Sequence, residues 1–494
     1  MNNECDVIII GSGNAALSAG IAASEKGAKV LIIEKASEDL AGGNTKYTAG
    51  AMRFAYNNSN ELLPLVANPE DPRVAISDFG NYSSEKFKKD LLGFNDGEPL
   101  TPEQEILVSK SYDTMTWLAE HGIKYDPIFS RQSFEKDGKI IFWGGLTLAA
   151  ENEGVGLYDM ELAAFKKLGG EIRYNIGMSE LVLDGARVAG VKCDDSSIIY
   201  AGATILACGG FESNQEMRVK LLGPEWKNAK VRGTPHNTGD GLQAAWALGA
   251  KKYGRFDNCH ATPMDLYMKD YGNLKIPHGE RKNYRKISYF LGIMINCDGE
   301  RFVDEGMDFR NYTYAQFGKA VLEQPKQLAW QFFDAKTEDL LYQEYRFFDA
   351  SYKESNSLEG LVSQCDDLDQ KSTMNTITKY NLAVDDNTAF DPTIKDGKGT
   401  IGLSLPKSNW AQKLDTPPFR AYPVTGGITF SYGGLKVSSK GEVLLENNQP
   451  IDGLFACGEI VGGVFLAGYP GGSGLTSGAV FGRIAGASAG NLFS

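Results

Sequence analysis

Four apolar residues, Val7 to Ile10, run into the turn Gly11-Ser12-Gly13-Asn14-Ala15-Ala16, and this junction constrains the chain more than any other stretch. A helical pattern follows from Leu17 to Lys26, then a second apolar run, Val30 to Ile33, that ends in Glu34. The order is strand, glycine turn, helix and strand, with an acid at its tip 23 residues after Gly11. Each position has a physical task in a dinucleotide-binding βαβ unit. Gly11 allows the tight turn, Gly13 lets the backbone approach a pyrophosphate, and Ala16 keeps the helix close to the strand. The helix N-terminus offers free N–H groups to phosphate oxygens, and Glu34 accepts from a ribose hydroxyl. Lys35 joins Glu34 as a candidate cofactor contact.

At 494 residues the chain exceeds one ordinary core, so two domains are expected. The composition is globular, 42% hydrophobic and 23% charged, and its 57 glycines suit a fold with many close backbone approaches. The net charge is −13 without a basic run, which argues against nucleic acid as a partner. An anionic substrate then needs a local cationic site. No apolar stretch reaches the roughly 18 residues of a membrane span, and the first strand begins too early to leave room for a signal peptide. The seven cysteines are scattered, with no CxxC or CxxCH, so iron–sulfur, haem c and zinc readings lack ligand spacing and no metal is expected. Scattered thiols in odd number suit a reducing cytoplasm.

The spacing predicts a helix from Pro102 to His121, a hairpin around Gly138, a helix at Leu157–Leu168, and a strand meander over Glu171–Tyr200. The meander feeds the buried run Thr204 to Cys208, stopped by Gly209-Gly210. Asn237-Thr238-Gly239-Asp240-Gly241 opens another helix, where Asp240 is either a helix cap or a cofactor contact. Residues 256–428 carry more aromatics and fewer glycines, and they read as an inserted second domain. The first domain resumes at Gly433-Gly434, continues through Phe455-Ala456-Cys457-Gly458-Glu459, and closes with a glycine-rich helix through Ala485. The expected fold is α/β: a Rossmann-like domain in two parts, 1–255 and 429–494, with an α+β capping domain at 256–428.

Beyond Glu34, the small-residue run Ala41 to Met52, which includes Gly43, Asn44, Thr45, Thr48, Ala49 and Gly50, resembles the FAD-binding stretch of the fumarate reductase/succinate dehydrogenase flavoprotein superfamily. Ala207-Cys208-Gly209-Gly210, Thr238-Gly239-Asp240-Gly241, Arg301-Phe302-Val303-Asp304-Glu305, the Cys457-Gly458-Glu459 turn and the terminal glycine helix follow in superfamily order. Three stretches, Gly43 to Tyr56, Asp308 to Ala315 and Tyr469 to Gly478, look closest to FAD-dependent tricarballylate dehydrogenase. The resemblance implies an FAD enzyme that forms a C=C bond beside an electron-withdrawing group. Its substrate would be a small organic acid or ketone, its electrons passing to a separate electron-transfer protein or quinone-linked acceptor. By position, Ala207, Gly209, Asp240 and Glu459 would contact FAD, with Glu459 at the ribityl chain. Gly474 and Leu475 would place a helix N-terminus at the flavin pyrimidine, favouring negative charge there. The Asn44–Ala49 stretch holds no histidine where succinate dehydrogenases link their flavin, which implies non-covalent FAD.

The resemblance also fails at two places. Phe430 and Tyr469 stand where fumarate reductases hold the dicarboxylate with a His and an Arg. His260, with Thr262 beside it, resembles the first substrate histidine of the superfamily; a satisfied half-buried histidine is the plainer alternative. Tyr469-Pro470-Gly471 resembles the 3-ketosteroid Δ1-dehydrogenases, where the Tyr donates to a substrate ketone. For the proton there are two candidates. Arg310 falls near the proton-donating Arg of fumarate reductases, and Tyr314, before Gln316-Phe317-Gly318, resembles the ketosteroid dehydrogenase base. A neutral Arg is costly at pH 7, and Tyr is easier to deprotonate. A surface salt bridge to Asp304 or Asp308 is the alternative for Arg310, and a core-facing aromatic for Tyr314. An ene-reductase running toward saturation, or a non-catalytic FAD-binding subunit, remain the competing functions.

Overall fold

The computed structural model describes residues 4–130 and 132–494. It divides into two units: Met1–Leu222, Gly233–Cys259 and Phe430–Ser494 form the first, and Gly223–Arg232 with His260–Thr429 form the second.

The first unit is built on β1 (Cys5–Ile10), α1 (Asn14–Ser24) and β2 (Val30–Glu34). Val7 to Ile10 and all of β2 are buried, as the strands of a sheet covered on both faces must be. β3 (Glu171–Tyr174) lies parallel beside β2, and β4 (Ile198–Leu206) parallel beside β1. β5 (Pro450–Ala456) returns from the C-terminal part to lie parallel beside β4. The sequence therefore leaves this sheet and completes it some 250 residues later, Leu454 to Ala456 pairing with Thr204 to Leu206. The meander expected over Glu171–Tyr200 includes an antiparallel hairpin, Met178–Asp184 with Arg187–Cys193, whose second strand pairs with the start of β4.

Two helices run past their expected ends. One covers Glu153–Lys167, starting four residues before Leu157, and the last covers Ser473–Gly490 rather than stopping near Ala485. Glycine hides both ends, because it lowers helix propensity. Here it is needed for contact: a Cβ at Gly154 would meet the Thr45 carbonyl at 2.0 Å, and one at Gly486 the Ala19 carbonyl at 2.1 Å. The helix Pro102–Glu120 forms as the pattern predicts, started by a Thr101/Gln104 capping box and a proline in its first turn.

The second unit is α+β. Its long strand Phe419–Ser431 pairs antiparallel with Ala329–Phe333, which pairs with Ile293–Asn296. Trp330, Phe332 and Ala421 bury one face against the helices Leu358–Val362 and Gln370–Ala383. Val321, from the helix Arg310–Leu322, packs with Ala329 and Val424 on the other face. Gly223–Arg232 belongs here, although the sequence placed it in the first domain, because Lys230-Val231 pairs parallel with Gly427-Ile428. Among the described residues no helix is long and apolar enough to cross a membrane, and no group of His, Cys, Asp and Glu is arranged to hold a metal ion.

Candidate functional site

Gly11 sits at the end of β1 with φ +98°, and a Cβ there would lie 2.6 Å from the Ala207 carbonyl oxygen. Both the turn and the neighbouring strand therefore demand glycine. Gly13 differs: its φ is −70°, and the nearest atom to an added Cβ is Thr45 Oγ1 at 3.4 Å. The protein itself would tolerate a small side chain at Gly13, so the space in front of it is a cradle that a Cβ would fill. Gly13 holds the N-cap of α1 and brings no capping side chain of its own. The buried Thr45 reaches that end, its Oγ1 accepting from Asn14 N at 3.0 Å. Glu34 is fixed at the tip of β2, accepting from Ser12 Oγ at 2.5 Å and Ala36 N at 2.7 Å. Thr48 and Gly50 continue the wrap, with Thr48 Oγ1 donating to Thr45 O and accepting from Gly50 N; Gly43 lies in the short turn Gly43–Tyr47, and Ala49 between Thr48 and Gly50 is partly buried. Ala16 is wholly buried behind the turn. A helix N-terminus opened by glycine, a cradle at Gly13 and an acid on the next strand fit the pyrophosphate and ribose of FAD.

Lys35 and Asp240 take a different arrangement. Lys35 Nζ donates to Asp240 Oδ2 at 2.7 Å and to Thr238 Oγ1 at 2.8 Å, both charged side chains about a third exposed. Asp240 is the first residue of the helix Asp240–Ala247, and Gly239 holds the cap position, so the side chain is not the cap. Ala207 and Gly209 follow directly after β4. Gly209 adjoins Asn237, whose amide would sit 2.4 Å from an added Cβ.

Glu459 lies in the turn Gly458–Ile460, where Ser431 N and Oγ donate to its Oε1 at 2.8 and 3.0 Å. Burial, then the neighbouring Glu212, hold its carboxyl well above the usual range. The helix Ser473–Gly490 also starts without a side-chain cap, and Leu475 O accepts from Asn14 Nδ2 at 2.7 Å. A Cβ at Gly474 would meet only Tyr469 and Phe430, at 3.6 and 3.9 Å. Phe430, Tyr432, Phe465 and Tyr469 form one aromatic group, with edge-on pairs at 5.2 to 5.7 Å among Phe430, Phe465 and Tyr469. The Tyr469 oxygen accepts from Gly472 N at 2.7 Å.

The second unit gathers the remaining candidates. The helix Arg310–Leu322 carries Arg310, Tyr314 and Gly318 one turn apart, on one face. Gly318 touches the next strand directly, since its Cβ would lie 2.5 Å from Thr262 N. That contact sets the Tyr314 ring edge-on to His260, 4.9 Å between centroids. His260 is 2% exposed, and burial followed by the charges of Arg232 and Arg285 depress its pKa well below the usual value. It is a neutral imidazole and does not serve as a cation. Arg310 is packed over the rings of Tyr342 and Tyr314, at 5.1 and 5.7 Å. Burial works against its charge, but Tyr342, Tyr314, Tyr289 and Glu344 outweigh that and hold it more basic than usual. Its Nε has no hydrogen-bond partner. The surface ion pair considered for Arg310 does not form: Asp304 accepts from Ser408, and Asp308 pairs with Lys395.

The structure thus groups Phe430, Tyr469 and Gly474 in the first unit, and His260, Thr262, Arg310 and Tyr314 in the second. Sequence reasoning missed Glu212, Arg232, Arg285 and Tyr342. Arg285 was visible only as half of an Arg285-Lys286 pair; it binds Glu344 through Nε and Nη2, both at 2.6 Å.

The model of the FAD binding domain family matches residues 6–475 of the chain. A fumarate reductase (cytochrome) of Shewanella frigidimarina is 28% identical over 491 residues, spanning 98% of this chain and 77% of that protein. The vinyl phenol reductase of Lactiplantibacillus plantarum is 24% identical over 484 residues, 94% of this chain and 91% of that one. The 3-ketosteroid Δ1-dehydrogenase of Sterolibacterium denitrificans shares the fold with a TM-score of 0.74 at 21% identity, over 99% of this chain and 100% of that one. The glycine cradle and the family match over nearly the whole length lead to one conclusion: the chain belongs to the FAD-binding fumarate reductase/succinate dehydrogenase flavoprotein superfamily and is an FAD-dependent oxidoreductase acting on carbon–carbon bonds.

Proposed function

We propose that this enzyme oxidises, or in reverse reduces, a carbon–carbon bond activated by a carboxylate or ketone, with Arg310 as anion anchor and proton donor. The half-buried Arg310 side chain carries the reading. Among the described residues it makes no ion pair, its Nε is unpartnered, and tyrosine rings surround it. A charge partly withdrawn from water with no ion pair of its own carries a desolvation cost. A substrate carboxylate would relieve that cost in the fork geometry that suits guanidinium.

Bound FAD supplies hydride acceptance or donation at its N5. The chain's own groups handle the anion and the proton. Arg310, held above its ordinary basicity, gives up a proton only to a strongly basic carbanion-like centre and takes it back on return. Tyr314, one helical turn on, is the second candidate for that proton. Neutral His260 donates a hydrogen bond without adding charge. Tyr469, whose oxygen accepts from Gly472 N, would donate its O–H to polarise a substrate carbonyl.

The finer assignment is dehydrogenation of a tricarballylate-type acid. It is supported by the likeness of three sequence stretches and by Arg232, Arg285 and Arg310 all lying in the second unit. A second reading rests on the aromatic group Phe430–Tyr432–Phe465–Tyr469 and on the vinyl phenol reductase relative: an ene-reductase for an aryl-conjugated alkene. Direction follows the potential of a separate electron-transfer protein or quinone-linked acceptor. We place the enzyme in the cytoplasm on the strength of its seven free thiols. FAD held non-covalently should leave the protein on acid precipitation; flavin remaining on peptides after proteolysis would refute that.

The test is anaerobic flavin spectroscopy. Oxidised enzyme is offered tricarboxylates, dicarboxylates and ketosteroids, and reduced enzyme is offered acrylates, vinyl phenols and fumarate. Bleaching or recovery names the substrate class. Arg310→Gln should then lose nearly all of that reaction while keeping its flavin spectrum. Turnover of Arg310→Gln at the wild-type rate would end the reading.

A further inference from the structure

We propose that Glu212 and Glu459 hold one proton between them, and that Glu212 is a positioning residue of the FAD cradle, acting through Glu459 and Asn44. The proposal deepens the reading of the first unit as the flavin-binding one. Glu212 is fully buried, 0% exposed, and the two carboxyl groups are within hydrogen-bonding reach of each other. Two adjacent carboxylates taken out of water cannot both stay ionised, because like charges at that distance repel strongly in a poorly screened interior.

The donors say which member keeps the charge. Glu212 Oε1 accepts from Asn44 Nδ2 at 2.7 Å and from Asn237 Nδ2 at 2.6 Å. The Asn44 amide cannot be turned the other way, because its Oδ1 accepts from Thr234 N at 3.0 Å. Two amide donors on one oxygen favour an ionised Glu212. Its other oxygen, Oε2, has no N–H or hydroxyl donor among the described residues. The Glu459 carboxyl is left to supply it. Glu459 already accepts from Ser431 N and Oγ through Oε1, so the shared proton sits on its second oxygen, aimed at Glu212. Burial and the Glu212 charge raise the Glu459 pKa in agreement with this.

The pair also explains the glycines that follow β4. A Cβ at Gly210 would lie 2.1 Å from Glu459 Oε1 and 2.3 Å from Ser431 Oγ, and one at Gly209 would lie 2.4 Å from Asn237 Nδ2. Gly209-Gly210 makes room for this network. Through Asn44 the network ties to the turn Gly43–Tyr47, whose Thr45 touches the N-terminus of α1. Glu212 therefore fixes two cradle elements that are far apart in the chain.

Infrared difference spectra of the holoenzyme and of the flavin-stripped protein, wild type against variants, test the proton. Wild type should show a protonated-carboxyl C=O band that Glu459→Gln removes. Glu161→Gln serves as reference, because burial also pushes Glu161 up. A wild type with no band assignable to the pair, or a Glu459→Gln protein that keeps one, would overturn the shared proton. FAD titration tests positioning. Glu212→Ala strips the acceptor from Asn44 and Asn237 and should raise the FAD dissociation constant by about 10-fold or more, the scale of hydrogen bonds to a charged group. Glu212→Gln restores an acceptor and should recover most of that loss. Equal FAD affinity in wild type and Glu212→Ala, or no recovery by Glu212→Gln, would overturn the positioning role. Should Glu212→Ala fail to fold, Asn44→Ala must show the same weakening. The band is read with and without flavin, so it stands or falls separately from the cofactor assignment.

Discussion

Gly478, Gly482, Gly486 and Gly490 recur every fourth residue on the last helix and all lie against α1. An added Cβ would sit 2.1 Å from Ala19 O at Gly486 and 2.4 Å from Ala15 O at Gly482. At Gly478 its one close contact would be the side-chain amide of Asn14, at 2.7 Å, with Ala15 Cβ at 3.6 Å, and at Gly490 it would meet Lys26 Cβ at 2.9 Å and Ala23 O at 3.0 Å. Real Cβ atoms essentially never come closer than 3.0 Å, so Gly486→Ala must part the helices by about 1 Å. Overpacking of this kind costs about 1–3 kcal/mol, against a gain of about 1 kcal/mol in helix propensity. The expected net loss reaches up to about 2 kcal/mol for Gly486→Ala, the tightest contact, is somewhat less for Gly482→Ala, and is about zero for Gly490→Ala. Urea unfolding of these three variants reads that order directly. Because α1 carries the cradle at its N-terminus, Gly482→Ala, packed on Ala15 close to that end, should also hold FAD more weakly than Gly490→Ala. A Gly486→Ala protein as stable as wild type, or a Gly490→Ala protein less stable than Gly486→Ala, would refute the packing argument.

Gly13→Val should abolish FAD binding while the flavin-free protein folds, since Thr45 is the nearest side chain at 3.4 Å; normal flavin content would mean the cradle is misread. Gly11→Ala should instead lower stability, through its positive φ and its 2.6 Å approach to Ala207 O, measured by the unfolding midpoint. Tyr469→Phe should slow substrate-linked flavin reduction about 10²-fold with unchanged flavin content, the scale of one lost oxyanion donor; an unchanged rate would remove Tyr469 from the chemistry. His260 has a depressed pKa when folded, so the unfolded chain binds the extra proton and stability falls as pH drops below about 6.5. Between pH 6.5 and 5.5 that penalty approaches about 1 kcal/mol, and His260→Gln should lose less stability than wild type over the same interval. Parallel pH profiles for the two proteins would show a charged histidine.

The βαβ unit was legible because its apolar runs, glycines and acid are local and the physics of each is local too. β5 was visible only as a strand-turn, since its place beside β4 depends on a pairing across some 250 residues. The starts and ends of the glycine-rich helices were obscured for a different reason. Propensity argues against Gly154 and Gly486 in helices, and only the facing Thr45 and Ala19 carbonyls show why glycine stands there. The Glu212 network was illegible altogether, because Asn44 and Glu212 are 168 residues apart and neither belongs to a short motif that implies the other.

Arg310 and Tyr314 show how far sequence can go and what packing adds. Their spacing already put them on one helical face, and their chemistry left the proton to either. The surroundings are unequal. Arg310 is packed over the Tyr342 and Tyr314 rings and is held more basic than usual, with Nε unpartnered, while Tyr314 lies edge-on to the His260 imidazole. An environment that raises the basicity of Arg310 makes its neutral form still rarer, so loss of its proton to solvent is not a resting state of the enzyme. It can hold an anion at all working pH values, and it can lend a proton only while a substrate carbanion is there to receive it. That coupling favours Arg310 as the anchor in either direction of reaction and leaves Tyr314 with work only if a proton must be held by a neutral base between turnovers. Comparing Tyr314→Phe with Arg310→Gln for substrate binding and flavin reduction separately divides the two roles: Arg310→Gln should lose both, and Tyr314→Phe should lose reduction alone or neither.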